Sequence, residues 1–146
     1  MRLSYTPRLA LLSAALFCGA AVQAQQAPMT PPSAMSSQQY AAQQDRIKAD
    51  YKAARAACDK MSGNAKDICV EQAKGDEKVA EAQLQYQRSG KPADASKVAL
   101  AQAEAAYEVA KERCDDLKGA DKDACVKDAK AAEARAKASA KAMDKS

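Results

Sequence analysis

The chain has 146 residues, 47% hydrophobic and 29% charged, with a formal net charge of +4 and neither His nor Trp. Most of the hydrophobic share is Ala, present 37 times, while Leu, Ile, Val and Phe together number ten after residue 24; a conventional large core is therefore excluded. Without His there are no His-based triads, His metal sites or imidazole acid–base chemistry, and 23 basic against 19 acidic residues is too balanced for a nucleic-acid binder.

Residues 1–24 read as a secretory signal peptide. Arg2 and Arg8 form a positive n-region, Leu9 to Ala21 an apolar stretch of h-region length, and Val22-Gln23-Ala24 a small-residue cleavage site before Gln25. The stretch is too short for a membrane span with stop-transfer flanks. Cys18 follows Phe17, where a lipoprotein motif needs a small residue, so cleavage between Ala24 and Gln25 is expected to remove it. Four cysteines then remain, and no membrane span is expected in the mature chain. An even cysteine count behind an export signal fits an oxidising compartment, periplasmic or secreted. Residues 25–38, rich in Gln, Pro, Ser and Met, read as a disordered linker.

A duplication follows. Tyr51, Cys58, Gly63, Cys69 and Val70 recur 56 positions later as Tyr107, Cys114, Gly119, Cys125 and Val126, and 14 of 33 positions are identical between 51–83 and 107–139. Each unit, 39–87 and 95–143, reads as a helix–turn–helix hairpin. In the first helix Ile47, Tyr51, Ala54, Cys58 and Met61 follow a 4-3-4-3 spacing, one stripe of a helix. Ala103, Tyr107, Ala110, Cys114 and Leu117 repeat it in the third.

Gly63 and Gly119 stand where a glycine just past the helix end is expected. Asn64 and Asp121 are the candidate N-caps of the returning helices. These carry Val70, Ala73, Ala80 and Leu84, then Val126, Ala129, Ala136 and Ala140. Gly75 reads as a tolerated interior glycine costing about 1 kcal/mol, with a kink as the alternative. Residues 88–94 read as a linker, with Gly90 and Pro92 as breakers and Asp94 as a cap for the third helix. The fourth helix has no large apolar residue between Val126 and Met143, and is expected to fray or stay solvated.

Four cysteines allow three pairings. Cys58 lies five residues before Gly63 and Cys69 five after Asn64, so closing the hairpin brings the two level; Cys114 and Cys125 have nearly the same relation. This predicts Cys58–Cys69 and Cys114–Cys125, each closing a short loop worth roughly 3 kcal/mol. Crosswise links are the alternative and would join the units. The ten-residue gaps do not offer the short Cys pairs of zinc sites, nor the Cys-x-x-Cys of redox dithiols. The pairs Asp115-Asp116 and Asp121-x-Asp123 read as solvated helix ends rather than catalytic or calcium sites. Tyr51 and Tyr107 read as interface residues. From Lys127 to Lys145 six basic residues face three acidic ones, a Lys-rich face that can meet an anionic surface.

The leader, the Ala/Lys/Glu/Gln helices and the Cys-x10-Cys hairpins together resemble small exported helical proteins of proteobacteria, some described as TolA-like or as cell envelope biogenesis proteins. The resemblance spans residues 39–143 and implies a role in the envelope. The stapled turns are also similar in concept to the twin Cys-x9-Cys hairpins of mitochondrial intermembrane-space proteins.

The expected architecture is all-α: two disulfide-stapled hairpins from a 56-residue duplication. If packed together they form a loose four-helix bundle; if not, they are two beads on a linker. The expected function is non-enzymatic, structural or interactive, in the envelope. Its expected partner is an envelope protein, peptidoglycan or an anionic lipid surface, with no nucleic acid, no cofactor and no metal. The alternatives are a thiol-based metal or redox protein and a chaperone-like stress protein.

Overall fold

The computed structural model describes residues 35–144. The expected leader, its Ala24/Gln25 cleavage site and most of the 25–38 linker lie outside the described residues. Among the described residues there are four helices and no strand: α1 (Ser37–Cys58), α2 (Gly63–Ser89), α3 (Pro92–Cys114) and α4 (Gly119–Met143). Ala, Lys, Glu and Gln favour helix by intrinsic propensity, which explains long helices on so little apolar surface.

α1 starts earlier than the expected boundary at 39 because Ser36 and Gln39 form a capping box. The Ser36 hydroxyl accepts from the Gln39 N–H at 3.2 Å, and Gln39 Oε1 accepts from the Ser36 N–H at 2.9 Å. At the other end α1 stops at Cys58, and the Met61 N–H donates back to the Cys58 carbonyl at 2.9 Å. Met61 therefore falls in the turn, 45% exposed, rather than on the apolar stripe; Leu117 does the same after α3 at 42%.

Gly63 and Gly119 do not end helices as expected. They open α2 and α4, at φ +59° and +57°, left-handed values that suit glycine. The N-cap positions belong to Ser62 and Lys118, neither with a side-chain cap bond. Asn64 and Asp121 thus sit inside the first turns and are not caps. Asp121 supplies a carboxylate near the positive end of the α4 dipole. Asn64 is used elsewhere, as described below.

The expected 88–94 linker contracts to Gly90 and Lys91. Gly90, at φ +64°, ends α2 and donates to the Tyr86 carbonyl, while Pro92 begins α3 after Lys91 as N-cap. Asp94 is not the N-cap. It lies inside the first turn and ties the corner together, accepting from Ser89 Oγ at 2.5 Å and from Lys97 Nζ at 2.8 Å. Its side chain is buried beside a Lys97 that stays exposed.

The hairpins do pack together, through α2 against α3. Gly75 is the reason they come close: it is buried in α2, and a Cβ placed on it would lie 2.7 Å from the Ala105 Cβ of α3. Gly75 is neither a bystander nor a hinge; it makes room for a neighbouring backbone. Beside it Lys78 reaches Glu104 at 2.9 Å, each raising the other's preference for the charged form through a hydrogen bond and Coulomb attraction. Both ends of this pair are about half exposed, so it contributes little stability.

Among the described residues α1 packs only on α2, α2 also on α3, and α3 also on α4. α1 and α4 do not meet, so the four helices form an open, serpentine row rather than a closed bundle. Ala leaves too little side-chain volume to fill the centre of a bundle, while close pairwise contact suits it. α4 is continuous to Met143, with Ala140 1% exposed. The fourth helix thus does not fray, but it stays largely solvated as expected, with Ala140 its one buried residue.

Candidate functional site

The turns between α1 and α2 and between α3 and α4 lie at the same end of the row, because consecutive helices alternate direction. Each carries one staple. Cys58–Cys69 and Cys114–Cys125 are the disulfides, with Cα–Cα distances of 5.6 and 5.7 Å, inside the range a disulfide needs. Cys58 and Cys114 are fully buried.

An ion pair flanks each staple at matched positions, Asp59–Lys66 at 3.0 Å and Asp115–Lys122 at 3.1 Å. The hydrogen bond and charge of Lys66 hold the Asp59 carboxyl below its ordinary value. All four cysteines of the described residues are used in these bonds. Two disulfides point to an oxidising, extracytoplasmic environment. No helix of the described residues is long and apolar enough to cross a membrane.

Asn64 joins the two stapled turns. Its Nδ2 donates to the Glu112 carbonyl at 2.8 Å, an oxygen near the end of α3 that also accepts from the Asp115 N–H at 3.0 Å. At the opposite end Tyr40 anchors the start of α1 on α2. Its hydroxyl donates to Gln85 Oε1 at 3.3 Å, and the Arg88 guanidinium stands 4.4 Å from the ring centre. Neither contact has a counterpart in hydrophobic periodicity, which is why sequence reasoning passes over both.

Grooves run between adjacent helices. The α1–α2 groove, about 270 Å³, has an apolar floor of Ile47, Ala54, Ala73 and Ala80 beside Tyr51. The α3–α4 groove, about 200 Å³, is lined by Ala103, Tyr107, Ala110, Ala129 and Ala136. Every lining residue of one groove is 56 positions from one in the other. The α2–α3 groove, about 400 Å³, runs between Val79 and Val109. It shares Asp76 with the first groove and Ala106 with the second, so the three adjoin on one face of the row.

Tyr51 and Tyr107, expected in the hairpin interfaces, lie there half-buried and line the grooves between the helices of each hairpin. The signal that could have found the grooves was present: Tyr and Ala positions kept across the duplication where an interface needed only small residues. Of Asp115, Asp116, Asp121 and Asp123, Asp115 is taken up by its pair with Lys122, and no cluster of three or more His, Cys, Asp or Glu among the described residues is placed to hold a metal.

No family model matches the chain, and neither a curated protein nor a solved structure matches it.

Proposed function

We propose that this is an exported, non-enzymatic interaction protein of the periplasm, acting in the cell envelope through the grooved face of its helical row. The observation that carries the reading is the pair of stapled hairpins. Each disulfide closes a short loop, and with so little apolar side chain buried, roughly 3 kcal/mol per staple is a large share of a small domain's stability. Such dependence suits an oxidising compartment and agrees with the secretory character of residues 1–24. The disulfide-bonded state of all four cysteines of the described residues supports a structural use of the thiols over metal buffering or redox sensing. The grooves, repeated across the duplication, supply the surface on which an envelope partner would sit.

The test is a non-reducing tryptic mass map of the chain recovered from the periplasmic fraction, with free thiols blocked at lysis. Lys60 and Lys66 separate the first cysteine pair, and Lys118 and Lys122 the second. The expected result is Cys58–Cys69 and Cys114–Cys125 linked peptides and a mature start at Gln25. Blocked free thiols, or retention in the cytoplasm, would overturn the reading. A photocrosslinker at Tyr51 or Tyr107 is then expected to capture a defined envelope component, and one on the exposed back of α4 to capture none.

A further inference from the structure

The two equivalent grooves differ in charge. At the positions where the α3–α4 groove has Ala106 and Ala132, the α1–α2 groove has Asp50 and Asp76. Both keep a glutamate, Glu77 in the first and Glu133 in the second. Glu133 is already paired with Lys137 at 2.6 Å, whereas Glu77 makes no ion pair among the described residues. Asp50 has only a long contact of 4.0 Å with an Arg46 that is itself 76% exposed, and Asp76 accepts a hydrogen bond from neutral Gln72. One groove therefore carries three carboxylates over an apolar floor with no cation among its lining residues, and its twin carries one neutralised carboxylate over Ala.

Resting on the interaction role proposed above, we propose that the α1–α2 groove binds a basic side chain of a protein partner, a lysine or arginine presented on a cationic segment. The aliphatic stem lies along Ile47, Ala54, Ala73 and Ala80, and the charged head reaches Asp50, Asp76 and Glu77 at the rim. Long basic side chains divide in this way between apolar surface and water. The Tyr51 ring adds an aromatic face for the cation. The lining spans residues 47–54 and 73–80, about 10 Å of each helix, enough for one or two such side chains but not for a docked helix. The α3–α4 groove has the same shape without the rim charge and does not select for a cation, so the molecule carries its own control.

The test uses the purified, disulfide-intact chain and two probes: a twelve-residue Ala/Lys peptide and an Ala/Glu peptide of equal length. Tyr51 and Tyr107 ring resonances are followed by NMR at low ionic strength. The Ala/Lys peptide is expected to shift Tyr51 and leave Tyr107 in place, and the Ala/Glu peptide to shift neither. Asp50→Ala with Asp76→Ala, which copies the twin groove, is expected to weaken binding at least tenfold. Ala106→Asp with Ala132→Asp is expected to install a response at Tyr107. Both pairs substitute exposed helix positions, and unchanged helicity with intact disulfides confirms their fold. Equal shifts at both tyrosines, binding that survives loss of Asp50 and Asp76, or no response at millimolar peptide would each overturn the proposal. These outcomes are read on purified protein and are independent of where the cell sends the chain.

Discussion

Gly75 of α2 faces Ala105 of α3 so closely that a methyl on Gly75 would stand 2.7 Å from the Ala105 methyl. The contact joins the two hairpins, and it joins them through backbone proximity rather than large side chains. Gly75→Leu is expected to force α2 and α3 apart and to destabilise the fold by about 1–3 kcal/mol, the usual cost of overpacking. Urea unfolding followed by circular dichroism measures it. An unchanged midpoint would mean the helices do not approach here.

The staples should not be equivalent in effect. Each double replacement, Cys58→Ala with Cys69→Ala or Cys114→Ala with Cys125→Ala, is expected to cost about 3 kcal/mol. The second pair should cost more, because α4 buries only Ala140 whereas α2 buries Ala73, Gly75 and Leu84. Thermal melts of the two variants side by side would show the order, and a lower Tm for the first variant would contradict it.

Asn64 and its aligned partner Ala120 offer a matched pair. Asn64→Ala removes the hydrogen bond to the Glu112 carbonyl and is expected to cost about 1 kcal/mol. Ala120→Asn, in the second hairpin, has no further helix to reach and should stay within about 0.5 kcal/mol of the parent. Equal effects would mean that the bond between hairpins is not formed in solution.

Asp94 gives the fold an acid-sensitive corner. Its carboxyl is held below the ordinary carboxylate value, first by the Lys97 hydrogen bond and then by that from Ser89. The unfolded chain therefore binds a proton more readily than the folded one, so stability from this group is complete above the ordinary Asp pKa. It is lost as pH falls through the lowered folded value. Tm is expected to drop below about pH 4, and Asp94→Asn to show a shallower acid limb from a lower starting Tm. Parallel curves for the two proteins would remove Asp94 as the cause.

The staples and the hairpin architecture were legible because a disulfide across a tight turn is a local matter. Cys58 and Cys69 flank Gly63 almost evenly, and only one closure of that turn brings them level. The roles of Gly63, Asn64 and Asp94 were not legible. The end of α1 at Cys58 shifts every later turn position by a few residues, and a polar side chain near a helix start can serve its own helix or reach a neighbour. Asn64 reaches α3, and Asp94 ties Ser89 to Lys97.

The amino-acid sequence by itself determined four helices, two covalent hairpins and a surface with little apolar volume, since propensity, turn chemistry and cysteine spacing act over a dozen residues. Only the tertiary structure decided that the hairpins join through Gly75, that the row stays open between α1 and α4, and that two equivalent grooves differ in charge. Those outcomes depend on which small side chains meet across helices far apart in sequence, and Ala-rich stripes carry almost no periodic signal to say which pairs will meet.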